Sequence, residues 1–264
     1  MTQPTVSDAE QFKVALGTQL RSYLSTYRFW AMLGLVLAVG GGITIFLAIH
    51  GPAYVQHRFA TSTDYIGAIL GFVAFLTIIV GAFFGGDAIS TDFGTKTGYY
   101  VLAQPVKRSI ILSGRYAAAL LVSAGIITVF YVITLIGGIG FFSFGAVPWE
   151  ALALSYLLAI LLVAGVLSFA FCLSSISRSP AIGLVITIVV LLIALDIVDG
   201  IVGTFVGTAD LWFSILYAAD TISTMVTLGI SAAVPAVWES AAICAVYAVG
   251  FSIGAYYLYQ REET

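Results

Sequence analysis

Ser252 stands between Gly250 and Gly254 in a G-x-S-x-G pattern. In a hydrolase that pattern is a nucleophile elbow, but only where a strand turns sharply into a helix. Here it lies inside an apolar run with no His or Asp nearby in sequence, and it reads as a coincidence in a glycine-rich helix. His50 and His57, seven apart, offer two imidazoles to a metal, yet no Cys or Glu accompanies them. Cys172 and Cys244 are embedded in apolar runs and read as small hydrophobes, not as ligands or a disulfide. No H-E-x-x-H occurs, and no G-x-x-x-x-G-K-[ST] that would cradle a nucleotide. Asp196 and Asp199 are three apart and share one helix face. A transport or gating role fits them, because ionisable groups at membrane depth are functional by default. A plain position at the outer boundary fits as well, since about twenty residues from Pro180 reach that boundary.

The strongest chemical signal is a whole segment. GDAISTDFGTKTGYYVLAQPVKRSIILSGRY, from Gly86 to Tyr116, interrupts an otherwise greasy chain and holds four of its ten basic residues. Asp92 stands just before Gly94 and Thr95, which suits a turn or helix start. Tyr99, Tyr100, Val101 and Leu102 form an apolar patch, and Pro105 breaks the chain before Val106, Lys107 and Arg108. A short helix with an exposed apolar face and flanking charges is a docking element. The plain alternative is a basic loop resting on anionic headgroups.

The remaining sequence says what positions this segment. Of 264 residues, 61% are hydrophobic and 9% charged, against about 25% charged in soluble domains; the mean hydropathy is +1.08. Apolar runs near twenty residues recur, the length a helix needs to cross about 30 Å of hydrocarbon. They are apolar on all sides, unlike the alternating strands of a barrel. The expectation is an all-α polytopic membrane protein with spans near Trp30–Ile49, Tyr65–Phe84, Tyr116–Gly138, Ala151–Leu173, Ala181–Val202 and Val237–Leu258. Gly34, Gly40, Gly41 and Gly42 in the first span suit close helix contact. Glu150 reads as a helix N-terminal charge, and Glu239 as interfacial.

Nine of the ten basic residues then fall on one side, and only Arg58 on the other. That bias puts both termini, and the polar segment, in the cytoplasm of a plasma-membrane protein. Residues 1–28 are too polar for a cleaved signal. Within them Phe12, Leu16, Leu20, Tyr23, Leu24 and Tyr27 recur at helical spacing, as in an amphipathic helix lying in the interface. The transmembrane domain is then 29–264, with 87–115 cytoplasmic. Residues 203–236 are apolar and carry no Lys or Arg. A seventh span there would put the C-terminus outside, so a re-entrant or interfacial helical pair on the outer face is preferred. The net charge of −3 is too small to imply a partner, and no nucleic acid is expected.

The segment resembles the signature of ATP-binding-cassette (ABC) transporter type-2 permeases. The matching positions are Asp92, Gly94, Thr95, Pro105, Val106, Arg108, Gly114 and Arg115. Ser90 stands where the family often has Glu, and Arg115 where Lys is usual. The motif covers about thirty residues; in architecture the resemblance extends over nearly the whole chain, from the amphipathic N-terminal helix to the outer hairpin. It implies that Asp92, Gly94, Thr95, Tyr99, Leu102, Pro105, Val106, Lys107, Arg108, Gly114 and Arg115 belong to a coupling helix and its flanks, seated in a cleft of a separate ATPase subunit. It further implies a non-catalytic export permease pairing with a second permease chain in the bilayer. ATP and Mg²⁺ would be held by the ATPase, and this chain would bind no cofactor. The small number of buried charges points to a hydrophobic or amphipathic cargo. A non-transporting scaffold that docks a cytoplasmic partner is the alternative.

Overall fold

A computed structural model describes residues 7–90, 107–177, 179–206 and 213–261. The described residues form helices joined by short turns, with no strand among them, and six of the helices are long and apolar enough to cross a membrane. These are Tyr27–His50, Ser62–Gly85, Ser109–Phe141, Trp149–Ile176, Pro180–Val202 and Val237–Gln260. All six expected spans are present, each somewhat longer than its apolar run. The third departs most. Its helix starts at Arg108, because Ser109 and Ser113 continue the helix while contributing little hydropathy.

Local chemistry sets several helix ends. The N-terminal helix, Asp8–Ser25, opens on a capping box: Glu10 N donates to Ser7 Oγ, and Ser7 N donates back to Glu10 Oε2. Thr61 and Asp64 form the same device ahead of the second span. Pro180 opens the fifth span, where its missing N–H has no partner to lose. Between the first two spans Gly51, at φ +84°, makes a turn that L side chains rarely adopt. A short loop helix, Pro52–Arg58, follows it.

Neither the first nor the fifth span is a plain α-helix. Leu37–Gly41 and Val189–Ala194 are wound as π-helix near mid-span, a local widening that favours functional sites. Gly40 in the first of these lets the ring of Phe130 approach, and a Cβ there would lie 3.0 Å from it.

The second and fourth spans form the centre. Of their most apolar stretches 61% is buried, against 44% in the third span and 22%, 17% and 11% in the first, fifth and sixth. Tyr65, Leu76, Phe84, Phe130 and Phe171 are fully enclosed. Small residues set the spacing. Gly81 faces Val166, Gly85 faces Ala170, and Gly86 meets Gly183 backbone to backbone. Some buried hydroxyls are satisfied within their own helices, as in Thr134 to Phe130 O and Thr187 to Gly183 O, whereas those of Thr77 and Ser123 find no partner among the described residues.

After the fifth span a separate helix, Ile215–Thr227, packs one face on the second, fourth and sixth spans. Its 13 residues extend only about 20 Å at 1.5 Å per residue, too short to cross. The count is therefore six among the described residues. Side chains fasten this helix in place. Ser214 Oγ donates to Asp199 Oδ2 at 2.5 Å, Thr221 Oγ1 donates to Pro235 O at 3.1 Å, and Tyr247 OH donates to Phe213 O at 2.8 Å.

Candidate functional site

The described ends of the polar segment are clasped from several sides. The second span ends at Gly85, and the next five residues are bound one after another. Gly86 lies against Leu184 of the fifth span. Asp87, almost fully buried, forms an ion pair with Arg28 at the start of the first span. Ala88 O accepts from Arg115 Nη1 at 3.0 Å. The N–H groups of Ile89 and Ser90 both donate to Ser174 Oγ, at 3.0 and 3.1 Å, near the end of the fourth span. Elements from five different parts of the chain therefore meet where the segment leaves the bundle.

The N-terminal helix closes this clasp. Tyr23 OH donates to Phe84 O at 3.2 Å, and its ring meets the Phe84 ring edge-on at 5.3 Å. Burial pushes the Tyr23 phenol up to about 12, so it remains a donor at any physiological pH. Gly114 lies against the same helix, and a Cβ there would come within 2.9 Å of Ala15 Cβ and 3.3 Å of Leu16 N. At the segment's far end Lys107 Nζ pairs with Asp8 at 2.5 Å, with both side chains exposed. An exposed pair of this kind contributes about 0–1 kcal/mol. The geometry, more than that pair, holds the helix down.

Of the residues singled out from the sequence, Asp92, Gly94, Thr95, Tyr99, Leu102, Pro105 and Val106 lie outside the described residues, as does Lys96. Arg108 begins the third-span helix. Lys107, Gly114 and Arg115 are all used inside the chain, in the contacts just described. Arg28, Tyr23, Asp87 and Ser174 were not picked out as a unit. The readable signal was an acid directly after an apolar run, at a depth where a charge needs a partner.

A second polar locus lies nearby. Ser168 Oγ donates to Tyr116 OH at 3.0 Å and lies 2.9 Å from Ser252 Oγ, while Tyr116 OH donates to Ala164 O at 2.9 Å. Ser252 is thus one hydroxyl in a hydrogen-bonded set within the continuous helix Val237–Arg261, without the strand-to-helix turn of a nucleophile elbow. Ser109, Ser113, Tyr116, Phe171, Ser252 and Tyr256 line a cleft of about 210 Å³ there.

At the opposite end Asp196 is exposed, and Asp199 pins Ser214 as described. Asp199 Oδ1 is enclosed without a hydrogen-bond partner among the described residues. The His50 ring lies between those of Phe46 and Tyr54, at 4.5 and 5.0 Å. No three His, Cys, Asp or Glu side chains gather to hold a metal among the described residues. Cys172 and Cys244 are free thiols.

No curated protein matches the chain. One family model does, over residues 41–264, and that region includes the second to sixth spans and the last part of the first, from Gly41 to His50. The chain belongs to the family described as "protein of unknown function (DUF2705)".

Proposed function

We propose that this chain is the transmembrane subunit of an ATP-driven exporter, and that the segment around 87–115 is its coupling element to a separate ATPase. The observation that carries the reading is the clasp at Gly86–Ser90. A coupling element must pass a push from a cytoplasmic partner into the bundle, which requires that its stem be fixed to the spans that move. Here the stem is tied to the first span by Arg28, to the third by Arg115, to the fourth by Ser174 and to the fifth by the close approach at Leu184. A loop resting only on lipid headgroups has no need of such ties.

In this reading the chain lies in the plasma membrane with both termini in the cytoplasm. The helix Asp8–Ser25 lies along the inner interface, and the helix Ile215–Thr227 with its flanks forms a re-entrant cap on the outer face. The largely exposed first, fifth and sixth spans face lipid or a second permease chain. Asp196 and Asp199 stand near the cap, where a gating role remains open to test.

The orientation has its own test. Single cysteines at positions 3 and 262, in a background lacking Cys172 and Cys244, should react with a membrane-impermeant maleimide only after the cells are opened. Labelling in intact cells would overturn the six-span arrangement.

Function is tested by isolation in gentle detergent. An ATPase subunit should copurify, and Gly94→Val and Arg108→Glu should each reduce its recovery or abolish cargo-stimulated hydrolysis. If the lost contact is a desolvated charge pair, the loss of affinity should exceed about tenfold. Normal assembly and normal coupling in both variants would remove the coupling assignment. A stable complex with a cytoplasmic protein that hydrolyses no ATP would favour the scaffold reading instead.

A further inference from the structure

At the end of the bundle away from the termini, a groove of about 440 Å³ runs along the outer half of the first span. Its floor is apolar and built from residues such as Ala38, Gly42 and Phe46, with Phe59 and the loop helix closing one end. The π-turn Leu37–Gly41 lies at its inner limit, and Gly42 has nothing within 4 Å of where a Cβ would stand. Tyr54 and Arg58 rim the mouth.

Arg58 is the single basic residue assigned to this side of the protein, and its side chain is exposed. It makes no ion pair among the described residues, and its guanidinium sits only loosely over the Phe59 ring at 6.0 Å. The nearest acid in sequence, Asp64, is occupied with the backbone N–H and hydroxyl of Thr61. The loop helix therefore presents an uncompensated cation at the boundary, directly above an apolar trough of membrane depth.

We propose that this groove binds one anionic phospholipid, its acyl chain lying over Gly42 and Phe46 and its phosphate held by Arg58. Charge and polarity fix the occupant. A free phosphate would leave the trough empty, and a neutral hydrocarbon would leave Arg58 unused. The guanidinium fork matches phosphate oxygens in a bidentate way. The inference depends on the chain lying in a bilayer and is independent of the exporter reading.

The test is lipid retention. Full-length protein is placed in nanodiscs of equal phosphatidylglycerol and phosphatidylcholine, released into detergent, and weighed intact by native mass spectrometry. The wild type should keep one more phosphatidylglycerol per chain than Arg58→Gln, with a preference over phosphatidylcholine of about fivefold at that site. Arg58→Lys should restore the preference. Gly42→Phe fills the trough from a helical position with free space, and should remove the bound lipid while Arg58 stays in place. Arg58 is exposed and Gly42 uncrowded, so neither change should disturb folding; monodisperse elution checks this. Equal retention by the wild type and Arg58→Gln, or an unaltered lipid count in Gly42→Phe, would overturn the proposal. So would a Gly42→Phe effect confined to self-association, which would assign the groove to a second copy.

Discussion

Arg28→Glu should lower the midpoint of thermal unfolding in detergent by about 10 °C, the largest loss expected of any single change described above. Asp87 is almost fully buried and Arg28 about half exposed, with side-chain exposures of 9% and 42%. Removing one partner of a fully buried pair costs about 3–5 kcal/mol, and of an exposed pair about 0.2–1 kcal/mol. The mixed burial here places simple neutralisation, Arg28→Gln, at about 2 kcal/mol. Reversal adds repulsion between two carboxylates, about 4 kcal/mol at contact for an effective dielectric of 20, and the new Glu escapes part of it by turning towards water. A net cost near 3–4 kcal/mol corresponds to about 10 °C at 2–4 °C per kcal/mol for a chain of this size. The swapped pair Arg28→Glu with Asp87→Lys should recover at least half of the loss. An Arg28→Glu protein that melts with the wild type would mean that this contact does not hold the stem.

The second large effect is local. Gly114→Leu should detach the N-terminal helix while leaving the spans folded. A Cβ at Gly114 would meet Ala15 Cβ at 2.9 Å, closer than real contacts come, and the Leu16 backbone nitrogen at a tight 3.3 Å. Overpacking of this kind costs about 1–3 kcal/mol. Backing the third span away would disturb the core. Releasing the N-terminal helix gives up the Tyr23 contacts, the packing of Leu16 and Leu20, the Gly114 approach and an exposed ion pair, but leaves the packing among the spans intact. Trypsin cleavage after Lys13 and Arg21 should then accelerate by about tenfold or more, with the melting midpoint nearly unchanged. Gly17→Leu is the control, since nothing lies within 4 Å of a Cβ there. It should leave cleavage no faster, because Leu favours helix over Gly. Equal cleavage in wild type and Gly114→Leu would show that the helix is held by something other than this approach.

The spans were readable because hydropathy over twenty residues is a property of composition alone. The fifth, expected at Ala181–Val202, is found at Pro180–Val202. Contacts between distant segments were not readable in this way. Gly114 drew notice for its place in a motif, and nothing local announces that Ala15 would press against it. The same holds for Asp87. Its position after an apolar run demanded a partner, but Arg28 lies 59 residues away and any of several cations would have satisfied the rule. The π-turns at Leu37–Gly41 and Val189–Ala194 have no compositional mark, since the same aliphatic residues wind equally well as α. The helix Ile215–Thr227 was foreseen as something other than a span from the parity of the topology. Its attachment by Ser214, Thr221 and Tyr247 was beyond inference, because hydroxyls bond wherever packing brings an acceptor.

The uneven burial of the six spans also bears on how the protein is made. A nascent chain is delivered from its N-terminus, and the three most enclosed spans, the second to the fourth, are consecutive. Everything that fastens the stem at Asp87–Ser90, apart from the Gly86 approach to the fifth span, has been synthesised once Ser174 emerges. The opposite end must wait. Gly67 on the second span is shaped to receive Thr227, and Thr221 takes its acceptor from Pro235. That face therefore stays open until all but the last span has left the ribosome. One end of the molecule matures early and the other late. An insertion chaperone that shields half-made bundles would find its exposed surface at the end that carries Gly67 and waits for Thr227.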